Sequence, residues 1–236
     1  MSQDLTFLVI TAASLGFIHT SLGPDHYLPF IAMAKARDWS QKKTIFITTV
    51  CGLGHVFSSV IIGIIGIGLG IAVKELEVVE STRGEIAGWL LIGFGLLYLI
   101  WGLKKAWKNK PHSHIHSHDN GIVHVHEHKH HGGHTHVHSE EKKNITPWVL
   151  FTIFIFGPCE VLIPLFMYTA SVKNVFGLVL VTSVFGIATI LTMVTIVFVS
   201  LSGIKLISFN KIEKYTHALA GGVILMCGLA INFLGL

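Results

Sequence analysis

Six long apolar segments limit the folds open to this chain more than any other feature does. Each segment is near or above the ~20 residues that an α-helix needs to cross a bilayer. Hydrophobic residues make up 51% of the 236 residues and charged residues 13%, whereas a soluble domain carries about 25% charged residues. The sequence therefore predicts an all-α integral membrane protein with six transmembrane helices. The expected spans are 5–23 with a short continuation over 26–33, then 44–73, 85–103, 146–170, 175–206 and 215–236.

The first span contains three ionisable residues, His19, Asp25 and His26, close to two prolines. An ionisable side chain at the centre of a membrane helix costs about 2.5 to 3.5 kcal/mol, so three together indicate a function. Pro24 has no N–H and clashes with the preceding turn, which predicts a break near Gly23 with unpaired carbonyls beside Asp25 and His26. Broken helices at this depth are where transporters bind ions.

The second half of the chain repeats this pattern. Residues 23–29 (GPDHYLP) align with residues 157–164 (GPCEVLIP), and the glycine spacing of 87–103 recurs in 220–236 at nearly the same offset. Three helices in each half place the second half upside down relative to the first. We therefore expect two inverted three-helix repeats, with helices 1 and 4 broken near the midplane.

The chain then divides into a first repeat (1–108), a loop (109–145) and a second repeat (146–236). The loop holds twelve of the sixteen histidines and almost nothing apolar, which predicts disorder without metal.

Lysine and arginine concentrate in this loop and in the connections between helices 1 and 2 and helices 5 and 6. The positive-inside rule makes those segments cytoplasmic and both termini external, in a prokaryotic cytoplasmic membrane. The N-terminus lacks the pattern of a signal peptide, so we expect the first apolar run to remain as a helix.

The ionisable residues of the spans predict a transition-metal site. His19, Asp25 and His26 come from the first break, and His55 lies within the second span. Cys159 and Glu160 occupy the matching positions of the second break. Imidazole, carboxylate and thiolate together suit nickel, cobalt, zinc or ferrous iron, and they suit magnesium, calcium or sodium poorly.

The loop histidines indicate metal contact without selecting a metal, since clustered neutral imidazoles bind zinc, nickel, cobalt and copper alike. The alternative is that the loop is only a polar linker, which would tolerate any composition. The candidate loop ligands are His112, His114, His116, His118, His124, His126, His128, His130, His131, His134, His136 and His138.

Other residue patterns exclude several classes of protein. The formal charge of +4 lies mostly in loops, so we interpret it as topology and expect no nucleic-acid partner. The three cysteines fall in apolar runs and form no secreted-type disulfide framework. No ATP-binding motif occurs, which argues against a primary pump.

His19 with Asp25-His26 resembles the intramembrane His-x4-Asp-His signature of the nickel/cobalt transporter (NiCoT/NicO) family of the LysE-type superfamily, with one extra residue in the spacing. His55 resembles the histidine of that family's second helix, and the histidine-rich loop resembles that of its efflux members. The resemblance implies that His19, Asp25, His26 and His55 bind a transition metal during transport.

The second break, Gly157-Pro158-Cys159, is more similar to the CcdA/DsbD transmembrane family. In that family a cysteine beside a proline break in each half forms a redox pair. Here Asp25 occupies the place of the first cysteine, so a thiol–disulfide relay within the chain lacks its partner.

We therefore expect a transporter, not an enzyme, that moves a divalent transition metal by alternating access. Nickel or cobalt is the first candidate and zinc or iron the second. The cytoplasmic loop favours efflux, with protons through Asp25 or Glu160 as the possible coupling ion. The expected partners are the lipid bilayer and the metal ion, with no organic cofactor and no signal for an oligomeric state. The alternatives are a membrane thiol–disulfide electron-transfer protein of the CcdA type and a metal-sensing membrane protein.

Overall fold

The computed structural model describes residues 3–108, 112–117, 123–128, 145–171, 175–204 and 213–235. Within these ranges it contains eight α-helices, two short 3₁₀ turns and one pair of strands. In chain order the helices are α1 (Gln3–Leu22), α2 (Leu28–Ala36), α3 (Gln41–Leu69), α4 (Val73–Lys108), α5 (Thr146–Phe156), α6 (Leu162–Ser171), α7 (Val175–Ile204) and α8 (Thr216–Leu234). The 3₁₀ turns are Pro24–His26 and Glu213–Tyr215, and the strands are β1 (His112–Ser117) and β2 (Val123–His128).

Five helical segments are long and apolar enough to cross a membrane: α1, α3, α4, α7 and the segment Glu213–Leu234 that contains α8. Large apolar side chains on their outer faces are exposed, as with Phe7 of α1 at 70%, which suits contact with lipid. The chain is an integral membrane protein. The expected fourth span, 146–170, consists of the two short apolar helices α5 and α6 on either side of the predicted break.

The helix α4 begins much earlier than the sequence predicts. It starts at Val73 and not at residue 85, so the acidic and basic residues of 74–83 are helical where a loop was expected. The reason is that Glu80 is completely buried and pairs with Arg83 one turn later. A buried pair of opposite charges stabilises a helical turn that the hydropathy pattern alone assigns to a loop.

Part of the histidine-rich loop has regular backbone structure. The strands β1 and β2 pair antiparallel, with His112 opposite His128 and Ser117 opposite Val123. The period of two between histidine and other residues fits extended strands, and the disorder expected of the loop without metal stays a prediction. The structure does not describe the side chains of the twelve loop histidines, so their role as metal ligands stays a prediction. The division of the chain into two repeats and a loop also stays a prediction.

The helices α4 and α8 make the most extensive contact of the fold. Gly88 packs against Asn232, Gly95 against Leu225, and Gly102 against the backbone of Ala218. Residue numbers rise along one helix as they fall along the other, so the two helices run antiparallel. The glycines allow the two backbones to approach closely, which is how membrane helices associate without a hydrophobic driving force.

Two apolar clusters surround the centre of the molecule. One gathers residues of α2, α3, α4, α5, α7 and α8, and the other gathers residues of α1, α3, α6 and α7. The clusters meet near His55, whose neighbour Val56 belongs to the second cluster and whose ring lies 6.3 Å from that of Phe154 in the first. The contacts of α1 with α7 and of α3 with α5 suit an inverted repeat, which stays a prediction.

Candidate metal centre

The first helix break turns two histidines toward each other. The helix α1 ends where the N–H of Gly23 donates to the carbonyl of His19 at 3.0 Å, and Pro24 then starts a single 3₁₀ turn. The N–H of His26 closes that turn on the carbonyl of Gly23 at 3.1 Å before α2 begins. As a result the rings of His19 and His26 lie 4.8 Å apart, centroid to centroid, at an angle of 80°.

His55, from the middle of α3, completes the group. Its ring lies 5.1 Å from the ring of His26 and 6.4 Å from that of His19. One ligand nitrogen from each of the three residues can be chosen so that all three atoms lie within 4.8 Å of one another. The convergence of His19, His26 and His55 agrees with the arrangement expected from the helix break.

Each of the three rings in this group has a nitrogen without a hydrogen-bond partner. Among the described residues, Nε2 of His19, Nε2 of His26 and Nε2 of His55 are buried and make no hydrogen bond. Buried polar atoms in native proteins nearly always have a partner, and these three neighbouring nitrogens are available to bind a ligand. A tetrahedral ion with bonds of ~2.0 to 2.1 Å would hold the nitrogens about 3.3 Å apart, which a small inward movement of these side chains would achieve.

Asp25 contacts the group through Nδ1 of His26, the ring nitrogen next to the backbone of the helix break. Its Oδ1 lies 3.2 Å from Nδ1 of His26, which is also 3.2 Å from the carbonyl oxygen of Gly23. A proton on Nδ1 can therefore be donated to either oxygen, which leaves Nε2 of His26 with its lone pair free. A carboxylate that orients a histidine in this way is the usual outer partner of a metal ligand. Direct binding of the metal by Asp25 stays a prediction.

The second helix break does not bring Cys159 or Glu160 to the three histidines. The Cys159 side chain is fully buried in the apolar cluster that includes Val56 and Phe185. Glu160 is exposed and lines a cavity with Lys74, Glu77, Val78 and Ser81. Matching positions in a repeat do not guarantee matching side-chain directions, and here the two breaks turn differently. A ligand role for either residue stays a prediction.

The structure adds two residues to the site's surroundings that the sequence reasoning missed, Glu80 and Arg83. One oxygen of Glu80 accepts from the backbone N–H of Cys159 at 3.0 Å and from the hydroxyl of Ser59 at 2.9 Å. Arg83 pairs with the other oxygen and donates to the carbonyl of Ile155 at 2.6 Å. The spacing of the two charges, one helical turn apart, is the only signal for them in the sequence.

The fourth membrane histidine, His217, belongs to a separate cluster. Its Nδ1 lies 3.0 Å from the hydroxyl of Tyr98, and its Nε2 lies 2.7 Å from Nζ of Lys105. Both nitrogens therefore have partners, whereas each of the three central histidines has a nitrogen without one. The contacts with Tyr98 and Lys105 of α4 make His217, in α8, a residue of a helix interface.

The comparisons with known proteins identify one family. The family described as cytochrome C biogenesis protein transmembrane region matches residues 28–230 of the chain. This supports the resemblance to the CcdA/DsbD transmembrane family, whereas nothing found supports the nickel/cobalt transporter family. No curated protein matches, and no solved structure matches. The matched region starts after His19 and Asp25-His26 and includes His55 and Cys159.

Proposed function

Because the chain belongs to the family of cytochrome c biogenesis transmembrane regions, its activity resides in the membrane, and we propose that this activity is transport of a divalent transition metal. The observation on which the proposal rests is the group of three histidines, His26 and His55 buried and His19 half-buried, each with a buried ring nitrogen that has no hydrogen-bond partner. Neutral imidazole is the ligand that zinc, nickel, cobalt and ferrous iron share, whereas magnesium and calcium prefer oxygen. Nickel and cobalt are the first candidates.

The position of the group favours a transported ion over a structural one. Three imidazoles leave at least one coordination position open, which water or an incoming carboxylate such as Asp25 can occupy. Two of the three histidines lie on either side of a helix break, so a modest movement of α2 relative to α1 would change the distance between them. A site that can be opened in this way can release its ion.

The direction we propose is efflux, with the histidine-rich loop and the other basic connections on the cytoplasmic side. The charge distribution of the connections supports this orientation. Protons are the proposed coupling ion, because a proton and a metal ion compete for the same lone pair of an imidazole. Asp25 and Glu160 are candidates for carrying them.

The test is flux into or out of proteoliposomes containing the purified protein, with nickel, cobalt, zinc, iron and manganese offered in turn. We expect flux of at least one of these ions, and we expect His26→Ala and Asp25→Ala to stop it. His217→Ala is the matched control, because it removes a membrane histidine whose nitrogens are already hydrogen-bonded. Absence of flux for all five metals, or unchanged flux in His26→Ala, would exclude the proposal.

Family membership favours a second candidate, a thiol–disulfide function centred on Cys159. This thiol lies beside Pro158 at the second break and is fully buried. Against it, the first break provides Asp25 where a partner cysteine is needed, and all three cysteines are free. A relay would then require a cysteine from another protein. Under this candidate Cys159→Ser abolishes electron transfer to a partner thiol while His26→Ala leaves it intact, and under metal transport Cys159→Ser leaves flux intact.

A further inference from the structure

The buried pair Glu80 and Arg83 joins the parts of the protein that surround His55. Glu80 is completely buried and Arg83 half-buried, in a helix that packs inside a membrane protein. Charged groups at such positions are costly and are kept where a function needs them. Neither residue belongs to the histidine group, but both contact atoms that lie next to it.

Arg83 reaches the backbone of His55 through one hydroxyl group. The guanidinium donates to Oγ of Ser58 at 2.7 Å, and the same hydroxyl donates to the carbonyl oxygen of His55 at 2.8 Å. A second contact, at 3.3 Å, runs from Arg83 to the hydroxyl of Ser59. The turn of α3 that follows His55 is therefore attached to α4 by polar contacts.

The same guanidinium holds the second helix break. It donates to the carbonyl oxygen of Ile155 at 2.6 Å and lies 3.5 Å from that of Gly157. Gly157 packs directly against His55, because a side-chain carbon at that position would lie 3.0 Å from Nδ1 of the imidazole. On the far side of the break, the N–H of Cys159 donates to Glu80.

From these contacts we propose that Glu80 and Arg83 are positioning residues of the metal site, and that they fasten the second helix break to α3 so that His55 is held facing His19 and His26. This inference rests on the proposed function. We call the hydrogen-bonded group of Glu80, Arg83 and the hydroxyls of Ser58 and Ser59 the clasp. While its hydrogen bonds to the second helix break are intact, Cys159 stays buried and Gly157 stays packed against His55. The metal site can open on the side of the second break only when these hydrogen bonds are broken.

The first test of the clasp needs no metal. In a background with Cys51→Ala and Cys227→Ala, Cys159 is the only thiol, and its reaction with a maleimide reports whether the second break is closed. We expect slow labelling in this background and at least tenfold faster labelling after Arg83→Gln. Glu85→Gln is the control, because it removes an exposed charge from the same helix. Equal labelling rates with and without Arg83→Gln would overturn the clasp.

The second test separates positioning from general stability. Cobalt binding to the purified protein gives an affinity and a visible spectrum that depends on the ligand set. We expect Arg83→Gln to weaken cobalt binding by about 10-fold or more, as loss of an outer partner does elsewhere, with one ion still bound at saturation. Ser58→Ala, which removes only the hydroxyl between Arg83 and His55, should weaken binding less, by about threefold, at an unchanged melting temperature.

Ser58→Ala also covers the case in which Arg83→Gln does not fold. If every folded variant, including Ser58→Ala, binds cobalt as tightly as the unsubstituted protein does, the positioning role is overturned. If the parental protein itself binds no cobalt, the proposed transport function fails, and labelling of Cys159 still decides whether Glu80 and Arg83 close the second break.

Discussion

Nδ1 of His26 lies 3.2 Å from Oδ1 of Asp25, while Nε2 of the same ring is buried without a partner. The two nitrogens of one imidazole thus have different surroundings, one next to a carboxylate and the other without a hydrogen-bond partner. This asymmetry selects the tautomer with the proton on Nδ1 and leaves the lone pair on Nε2 free to bind a metal. It makes Asp25 an outer partner of the site in this conformation.

The role of Asp25 can be tested by Asp25→Asn. The amide keeps the shape and can still accept from Nδ1, but it loses the negative charge that makes the imidazole a better ligand. We expect cobalt or nickel affinity to fall by about 10- to 100-fold, the range for outer partners of metal-binding histidines. Calorimetric titration measures it, with Asp38→Asn, a change in the connection after α2, as the control. Affinity equal to that of the parent would remove Asp25 from the site.

Metal binding at the three histidines should weaken as pH falls. An imidazole binds a metal only through an unprotonated nitrogen, and in water the group takes up a proton near pH 6.5. Each bound metal ion must therefore displace protons at sufficiently low pH, and affinity should drop at least tenfold between pH 7.5 and about pH 4. The titration is best made on a variant that lacks residues 112–138, so that loop histidines do not contribute. Binding that is independent of pH would point to ligands other than histidine.

Removing residues 112–138 should itself leave transport measurable. The three central histidines lie in α1, the 3₁₀ turn and α3, and none of their contacts described above involves the loop. We expect the number of metal ions bound per protein to fall while flux at saturating metal persists. Flux in proteoliposomes and bound metal by elemental analysis provide the two measurements. Complete loss of metal binding in this variant would favour a metal-sensing or storage role for the loop.

The sequence predicts the positions of both helix breaks and brings the central histidines together, but it does not predict where the Cys159 side chain lies, for a physical reason. Pro24 has one local effect, to end a helix, and the two histidines near it are then close whatever the rest of the fold does. Side-chain direction at Cys159 depends instead on a contact with Glu80, a residue 79 positions away. Such a pairing has no signature in hydropathy. For the same reason the hydropathy pattern predicts that α4 starts at residue 85, whereas it starts at Val73.

The packing of α4 on α8 provides a stability test with a matched pair of glycines. A side-chain carbon at Gly221 would overlap the backbone of Leu99 and lie 2.8 Å from the carbonyl oxygen of Gly95, whereas one at Gly222 would meet nothing within 4 Å. Gly221→Ala should therefore force the helices apart, at a cost of about 1 to 3 kcal/mol typical of overpacking. Gly222→Ala should be neutral or slightly stabilising, since alanine favours a helix over glycine. Thermal unfolding in detergent compares the two, and equal melting temperatures would contradict the close approach of α4 and α8.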